Sequence, residues 1–254
     1  MNDTSIDLPG LFVVGTDTQV GKTYVVAMIA RELVDSGVRV GAYKPTCSGS
    51  QKDSEGRQIW DDVDVLAAAI GGGFPPERVC PQRFHAPLAP PVAARLEGKT
   101  VDARLMRTGA KWWTVRVDLL LCEGIGGLLC PLTQDETVAD LASDLGFPLI
   151  VVARLGLGTV NHTLMTVEVA SRRGLSLAGI ILNQPTPDHD CSAQFNLEEI
   201  AARVDTPVLG VVRHNQPHGL QCDGQLIKTD WLSLARPKTN CENGIPKSNI
   251  KPEP

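Results

Sequence analysis

The chain has 254 residues, of which 43% are hydrophobic and 21% charged, the composition of a soluble globular protein long enough for one large α/β domain. Its formal net charge of −5 and the lack of a dense Lys/Arg cluster argue against a nucleic-acid partner, so we expect a small molecule. Its seven scattered cysteines predict reduced thiols, and no signal peptide or membrane-length apolar run is visible, so we expect a cytoplasmic protein without a membrane partner.

Short apolar runs alternate with helical patterns along most of the chain. The predicted strands are 11–15, 38–43, 118–124, 148–154, 177–183 and 207–212. The predicted helices are about 21–36, 62–70, 102–113, 137–145, 159–173 and 194–204. The strands are apolar at consecutive positions, as in parallel strands that are covered on both faces. We therefore predict a doubly wound, mostly parallel α/β sheet with helices on both faces.

Two segments fall outside this alternation. Residues 71–100 are rich in Gly and Pro and predict a long connection over the strand ends. Residues 236–254 contain four prolines and no aromatic residue, which predicts a disordered tail. No linker interrupts the rest, so residues 1–235 are predicted to form a single domain.

The stretch "GTDTQVGKT", residues 15–23, follows the first predicted strand and opens the first predicted helix. This is the context of a phosphate-binding loop of P-loop NTPase type, in which backbone N–H groups and a helix N-terminus face an anion. Lys22 would hold the β- and γ-phosphates and Thr23 would bind Mg²⁺. The loop is one residue longer than the common pattern, because five residues separate Gly15 from Gly21. A glycine-rich turn with an incidental lysine is the alternative.

Two other strand ends carry groups suited to phosphate chemistry. Glu123 ends the strand "DLLLCEG", where an acid can reach Mg²⁺ directly or through water. Lys44 follows the second strand in "YKPTCSGS", with Ser48 and Ser50 beyond it. Taken alone, Glu123 and Lys44 are equally compatible with solvated charges at strand ends.

A fourth candidate is "GLGTVNHTLMT", residues 156–166, which leaves a strand and opens a helix. Thr159 is a natural N-cap, and the free amides near Asn161 and His162 could receive a carboxylate. The alternative is a capping role alone, with His162 turned inward.

In chain order, the motifs "GTDTQVGKT", "YKPTCSGS", "CEGIGG", "GLGTVNHT" and "GIILNQ" resemble those of the dethiobiotin synthetases over residues 11–212. The resemblance implies a cyclo-ligase of biotin synthesis that uses ATP and Mg²⁺. In that reaction 7,8-diaminononanoate takes up CO2 as a carbamate and ATP phosphorylates the carbamate. The second amine then closes the ureido ring and expels phosphate. The resemblance also implies a homodimer, with the substrate carboxylate bound across the dimer interface.

Residue roles follow from the same resemblance. Lys22 and Lys44 flank the carbamate and the γ-phosphate, with Lys44 the principal catalytic residue. The implied nucleotide-binding residues are Thr18, Gln19, Val20, Gly21, Lys22, Thr23, Asp64, Glu123, Gly124, Ile125, Gly126, Asn183 and Gln184. The implied substrate-binding residues are Ser48, Leu157, Gly158 and Asn161. The longer loop lets Thr18 to Val20 face the substrate as well as ATP.

The implied Mg²⁺ ligands are Thr23, Asp64 and Glu123. The stretch "WDDVDVLAAA" offers Asp61, Asp62 and Asp64. The family pattern is an Asp followed by a small or apolar pair at a helix start, and Asp64 fits it best. The other two would stabilise the helix N-terminus.

The chain departs from the family pattern at two positions, and other classes compete. Gln19 stands where Glu is familiar, and its uncharged side chain would weaken a contact with an ammonium group. Arg213 stands where Pro would touch adenine, which leaves the preferred nucleotide open. A MinD- or ParA-like ATPase switch usually has Lys at the start of the loop, whereas Val14 precedes Gly15 here. A GTPase switch lacks support, because no Asn-Lys-x-Asp motif occurs.

Overall fold

The computed structural model describes residues 6–187, 190, 192–214, 219–222 and 224–236. The predicted tail therefore lies, apart from Arg236, outside the described residues. The described strands are β1 (Gly10–Gly15), β2 (Val40–Tyr43), β3 (Cys47–Ser48), β4 (Gln51–Lys52), β5 (Gln58–Ile59), β6 (Arg83–Phe84), β7 (Leu119–Gly127), β8 (Leu149–Arg154), β9 (Leu177–Asn183), β10 (Val208–Val212), β11 (Leu220–Cys222) and β12 (Gln225–Ile227). The described helices are α1 (Lys22–Asp35), α2 (Asp61–Ala69), α3 (Pro76–Val79), α4 (Pro90–Leu96), α5 (Ala103–Lys111), α6 (Val138–Leu145), α7 (Thr159–Arg172), α8 (Ala193–Ala201) and α9 (Trp231–Leu234).

Eight of the described strands form one sheet in the order β12-β11-β10-β9-β8-β1-β7-β2. The six from β10 to β2 run parallel, and β11 and β12 join antiparallel at one edge. The chain leaves β1 toward β2 first and later returns to β8 on its other side. The strand order therefore reverses beside β1, and ligands bind at such a switch point, beyond the carboxyl ends of the strands.

The centre of the sheet is closed to solvent on both faces. Every residue of β1 is buried, as are the first five of the six residues of β8. A parallel strand is buried in this way only when both faces of its sheet are covered. The predicted mostly parallel α/β class is confirmed, and each predicted strand and helix has a counterpart within a few residues.

The structure differs from the prediction in the connections. Residues 71–100 contain α3, α4 and β6, and β6 pairs with β3 to make a small separate sheet. Residues beyond 214 supply β11, β12 and α9. These elements are two to seven residues long, too short for a periodic apolar pattern. Within the part of the chain that the structure describes, no helix has the length and apolar character needed to cross a bilayer.

Candidate functional site

The loop between β1 and α1 forms a compact turn over the carboxyl end of β1. Gln19 has a φ of 58° and is the only non-glycine residue with positive φ in the described chain. Gly21, which precedes α1, has a φ of 92°. The side-chain amide of Asn183, at the end of β9, donates a 2.8 Å hydrogen bond to the Val20 carbonyl. This bond ties the loop to a neighbouring strand end.

Lys22 is the first residue of α1, and its side chain folds back over the loop. Its Nζ donates to the Asp17 carbonyl oxygen at 3.0 Å. Burial lowers the pKa of Lys22 below the usual lysine value; Glu123 opposes this shift and Lys44 adds to it. The Lys22 ammonium group therefore lies over the backbone of the loop, at the start of α1.

Lys44 is the centre of a buried ionic cluster. Its Nζ donates to Glu123 Oε1 at 2.7 Å and also forms an ion pair with Asp62. Thr23 Oγ1 donates to the same Glu123 oxygen at 2.8 Å and lies within hydrogen-bonding reach of Asp62. Burial alone would lower the pKa of Lys44, but the charges of Glu123 and Asp62 outweigh it and raise the pKa. Lys44 is therefore a fixed positive charge beside the phosphate loop.

Each member of the cluster is placed by the end of a different element. Lys44 directly follows β2, and its backbone N–H donates to the Val79 carbonyl at 2.7 Å. Glu123 lies in β7, where it pairs with Val13 of β1. Asp62 lies in the first turn of α2. Since β1, β2 and β7 are parallel neighbours, their carboxyl ends deliver these side chains to one edge of the sheet.

The cluster contains oxygen atoms suited to a divalent cation. Glu123 is 1% exposed, and its Oε2 is buried without a hydrogen-bond partner. Buried carboxylate oxygens of this kind are normally satisfied by a donor or an ion. Together with the Asp62 carboxylate and the Thr23 hydroxyl, this atom fits Mg²⁺, which takes few protein oxygens and keeps the rest for water and phosphate. No group of three or more His, Cys, Asp and Glu side chains suited to a metal occurs among the described residues.

A second group of polar atoms lies where β8 leads into α7. Gly158, with a φ of 88°, is the N-cap of α7, so the predicted capping role of Thr159 is wrong; the Thr159 hydroxyl is buried and unpartnered. Leu157 is 88% exposed, yet its backbone N–H donates to Asp190 Oδ2 at 2.5 Å. Asn161 is exposed.

Comparison with known proteins places this geometry in a family. Residues 9–219 match the model of a family described as an AAA domain. The chain is 47% identical over 192 residues to the ATP-dependent dethiobiotin synthetase BioD of Anaeromyxobacter dehalogenans, covering 76% of this chain and 84% of that protein. It is 41% identical to the BioD of Anoxybacillus flavithermus, over 82% and 92% of the two chains, and 39% identical to that of Bacillus subtilis, over 80% and 86%.

This chain belongs to the dethiobiotin synthetase family.

Two solved structures of other proteins show a weak likeness to this chain. The septum site-determining protein MinD of Pyrococcus horikoshii, complexed with Mg-ADP, has a TM-score of 0.47 and 18% identity, and 81% of each chain is covered. The hydrogenase maturation factor HypB of Archaeoglobus fulgidus has a TM-score of 0.47 and 15% identity, again over 81% of each chain. Neither likeness bears on the function of a dethiobiotin synthetase.

The structure places one of the residues assigned by resemblance to the dethiobiotin synthetases differently. The resemblance assigned the third metal ligand to Asp64, but Asp64 is exposed on α2, and the hydrogen bonds and ion pairs described for the cluster join Thr23, Lys44, Asp62 and Glu123. Asp62, two residues earlier, supplies the carboxylate that meets Lys44. Side chains two positions apart on a helix point about 200° apart, so only one of the two can face the cluster.

The remaining residues predicted from the dethiobiotin synthetase pattern lie around the same edge of the sheet. Gly124, Ile125 and Gly126 continue β7 beyond Glu123, and a Cβ at Gly126 would lie 3.7 Å from Thr18 Oγ1. Asn183 ends β9, and the Gln184 backbone N–H donates to the Val212 carbonyl. Ser48 lies in β3, four residues after Lys44, and is half-buried.

Sequence reasoning missed several contacts around the candidate site. Arg154 ends β8 and donates to the Gln19 carbonyl at 3.4 Å. Asp190 and Asn196 contact the turn before α7. These three contacts involve backbone atoms far away in sequence, and residue type alone gives no signal for such pairings.

Proposed function

We propose that this chain is an ATP-dependent dethiobiotin synthase. It would convert 7,8-diaminononanoate, CO2 and ATP to dethiobiotin, ADP and phosphate in the cytoplasm, as a ring-forming carbon–nitrogen ligase of biotin synthesis. The observation that carries the proposal is the buried, charged Lys44 held by Glu123 beside Thr23 of the phosphate loop, in a chain that belongs to this family.

The reaction requires two anions to approach each other. One amine of the substrate takes up CO2 as a carbamate, and a carbamate oxygen attacks the γ-phosphorus of ATP, releasing ADP. The second amine then attacks the carbonyl carbon of the resulting carbamic–phosphoric anhydride, the ureido ring closes and phosphate leaves. Such chemistry depends mainly on alignment and on neutralisation of charge.

Lys22 and Lys44 supply that neutralisation in the proposed mechanism. Both are buried at the same strand ends, one in the phosphate loop and one in the ionic cluster. Lys22 would bind the β- and γ-phosphates, and Lys44 would stabilise the charge that develops between the carbamate and the γ-phosphate. The loop residues Thr18 to Val20, beside Gly126, would face both reactants.

Asp62, Glu123 and Thr23 are proposed to hold Mg²⁺, with Asp62 in place of Asp64. The support is the unpartnered buried Glu123 oxygen and the contact of Thr23 with both carboxylates. When bound, the ion would shield the phosphate charges and orient the γ-phosphate.

The nucleotide base and the two ends of the diamine are assigned to residues on either side of the ionic cluster. Asn183 and Gln184 would meet the nucleotide base, and exposed Arg213 at the end of β10 would lie beside them. Ser48 would contact the diamine, and the start of α7 from Leu157 to Asn161 would receive its carboxylate.

We also propose a homodimer. Large apolar side chains are exposed on the neighbouring helices α7 and α8 and on the turn before α7: Leu157 at 88%, Met165 at 52% and Phe195 at 56%. Exposed apolar groups clustered on one side of a protein mark association surfaces.

Phosphate release from ATP tests the function. We would measure it with Mg²⁺ and bicarbonate, with and without 7,8-diaminononanoate, and identify the organic product by mass spectrometry. We expect release that depends on the diamine and a product heavier by one CO unit less two hydrogens. Release that is indifferent to the diamine would point to an ATPase switch instead.

A further inference from the structure

The turn of residues 155–158, which leads from β8 into α7, is held by hydrogen bonds to residues that are distant in sequence. The Asn196 side-chain amide donates to the Gly156 carbonyl at 3.0 Å, and Asn196 is only 5% exposed. The Leu155 backbone N–H donates to the Asn183 carbonyl at 2.7 Å. A buried amide in this position fixes the turn because the alternative is an unsatisfied polar group.

The side chain of Asp190 also binds the 155–158 turn. Its Oδ2 accepts the Leu157 N–H at 2.5 Å, and its Oδ1 accepts the Ser192 N–H at 2.8 Å. These backbone hydrogen bonds lower the pKa of Asp190, so its carboxylate is charged at neutral pH. Leu157 is one of the residues that the family resemblance places at the substrate, and its N–H is already bound to a side chain of the same chain.

The two side chains hold the two ends of one peptide group. The Gly156 carbonyl and the Leu157 N–H belong to the same planar unit, so Asn196 and Asp190 together fix its orientation. The Thr159 N–H donates to this same Gly156 carbonyl at 3.2 Å, and the amides of Gly158, Val160 and Asn161 lie directly beside it in the chain. The directions of these three amides depend on the orientation of the 156–157 peptide.

We propose that Asn196 and Asp190 are positioning residues for the carboxylate of the diamine, acting through the backbone of the 155–158 turn. The inference rests on the proposed function, which places that carboxylate at the start of α7. Neither side chain need touch the substrate. A small rotation of the 156–157 peptide would turn the following amides away from the carboxylate, and misplacement of this kind is costly in catalysis.

The main test is Asn196→Asp, which keeps the shape of the side chain but replaces the donor with an acceptor facing the Gly156 carbonyl. We expect the KM for 7,8-diaminononanoate to rise about tenfold, the effect of losing one good hydrogen bond, while kcat and the KM for ATP stay within about twofold. Glu198→Gln, an exposed change on the same helix, is the control.

A substrate without the carboxylate separates positioning from general damage. For 2,3-diaminooctane, the decarboxylated diamine, kcat/KM should be the same in wild type and Asn196→Asp. Equal losses with both diamines, or no change with 7,8-diaminononanoate, would overturn the proposal.

Asp190 provides a second variant pair that does not disturb a buried residue. Asp190→Ala should raise the KM for 7,8-diaminononanoate, whereas Asp190→Asn, which keeps an acceptor for the Leu157 N–H, should restore it. Loss in both variants would contradict a role through this hydrogen bond. If wild type forms no ring product from 7,8-diaminononanoate, the proposed function fails, and that result is independent of the variants.

Discussion

At the scale of single residues, Lys44 is a buried cation that forms ion pairs with the carboxylates of Glu123 and Asp62. The same Glu123 oxygen accepts from Thr23 at the end of the phosphate loop. We expect Lys44→Gln to lower turnover by about 10²–10³-fold, the usual cost of losing one charge partner in a transition state. ATP affinity should change little, because Lys22 and the loop remain. Steady-state rates and calorimetric ATP binding measure the two effects. Lys52→Gln, on the exposed strand β4, is the matched control, and an unchanged rate in Lys44→Gln would remove Lys44 from the mechanism.

Asp62 and Asp64 make a matched pair for the metal assignment. Asp62→Asn should raise the Mg²⁺ concentration needed for half-maximal activity by about tenfold or more, because it removes a charged oxygen from the proposed site. Asp64→Asn should leave this concentration unchanged, since Asp64 is exposed and outside the cluster. A Mg²⁺ titration of both variants decides between them, and the reverse result would restore the assignment to Asp64.

The ionisation of Asp62 also predicts a pH dependence of stability. Burial would raise the pKa of Asp62, but Lys44 and Thr23 outweigh it and hold the pKa below the usual value of 3.8. A carboxyl group with a lowered folded-state pKa stabilises the fold above its unfolded pKa and loses that contribution as the pH falls. The difference in Tm between wild type and Asp62→Asn should therefore be constant from pH 7 to 5 and shrink below about pH 3.8. A difference that grows in acid would contradict the ion pair.

That Lys44 and Glu123 lie close together could be predicted from the sequence, because it follows from the order of the parallel strands. Lys44 directly follows the buried strand β2, and Glu123 lies in the neighbouring parallel strand β7, so the two side chains meet at one edge of the sheet. The choice between Asp62 and Asp64 depends instead on the rotation of α2 about its axis. That rotation is set by packing, which no local pattern records.

At the scale of elements, the junction of β1, the phosphate loop and α1 depends on Gly21. A Cβ at Gly21 would lie 2.0 Å from Asn183 Nδ2, and the φ of 92° already disfavours other residues. Gly37 has a similar φ of 83° but open space around it. Gly37→Ala should therefore cost only about 1 kcal/mol of stability, the price of a left-handed backbone.

Gly21→Ala should cost more than Gly37→Ala and should also abolish measurable ATP binding, because Asn183 must move and release the Val20 carbonyl. Thermal unfolding and ATP calorimetry on the two variants separate two effects. Gly37→Ala measures the backbone strain at positive φ alone, and Gly21→Ala adds the steric clash with Asn183. Equal effects of the two substitutions would show that the contact with Asn183 is unimportant.

Element prediction succeeds or fails here according to length. The strands of the central sheet are apolar along their length, and α1 and α7 are each 14 residues long, so their patterns are clear. The β3–β6 pair has only two residues in each strand, which is too short for a sequence pattern, and it forms because the surrounding elements bring the two segments together. The αL conformation of Gln19 is likewise imposed by the closed loop and not by the residue type.

At the scale of the whole molecule, the exposed apolar side chains near α7 predict self-association. Met165→Glu should shift the protein from dimer to monomer in sedimentation equilibrium, because it places a charge in the proposed interface. Leu96→Glu, at an apolar position on α4 that is 67% exposed, is the control and should leave the mass unchanged. A wild-type protein that sediments as a monomer would contradict the proposed dimer.

The pairing of β1 with β7 has a consequence for how the protein acquires activity. Phe12 pairs with Cys122, and Val13 with Glu123, so the chain must close a very long loop before the phosphate loop meets its acidic partner. Closing distant pairings is slow, because the entropy of loop closure is lost before the contacts form. A refolding chain should therefore gain helical signal first and ATP binding only with the last, cooperative step. The ability to bind ATP is therefore acquired late in folding, when β1 pairs with β7.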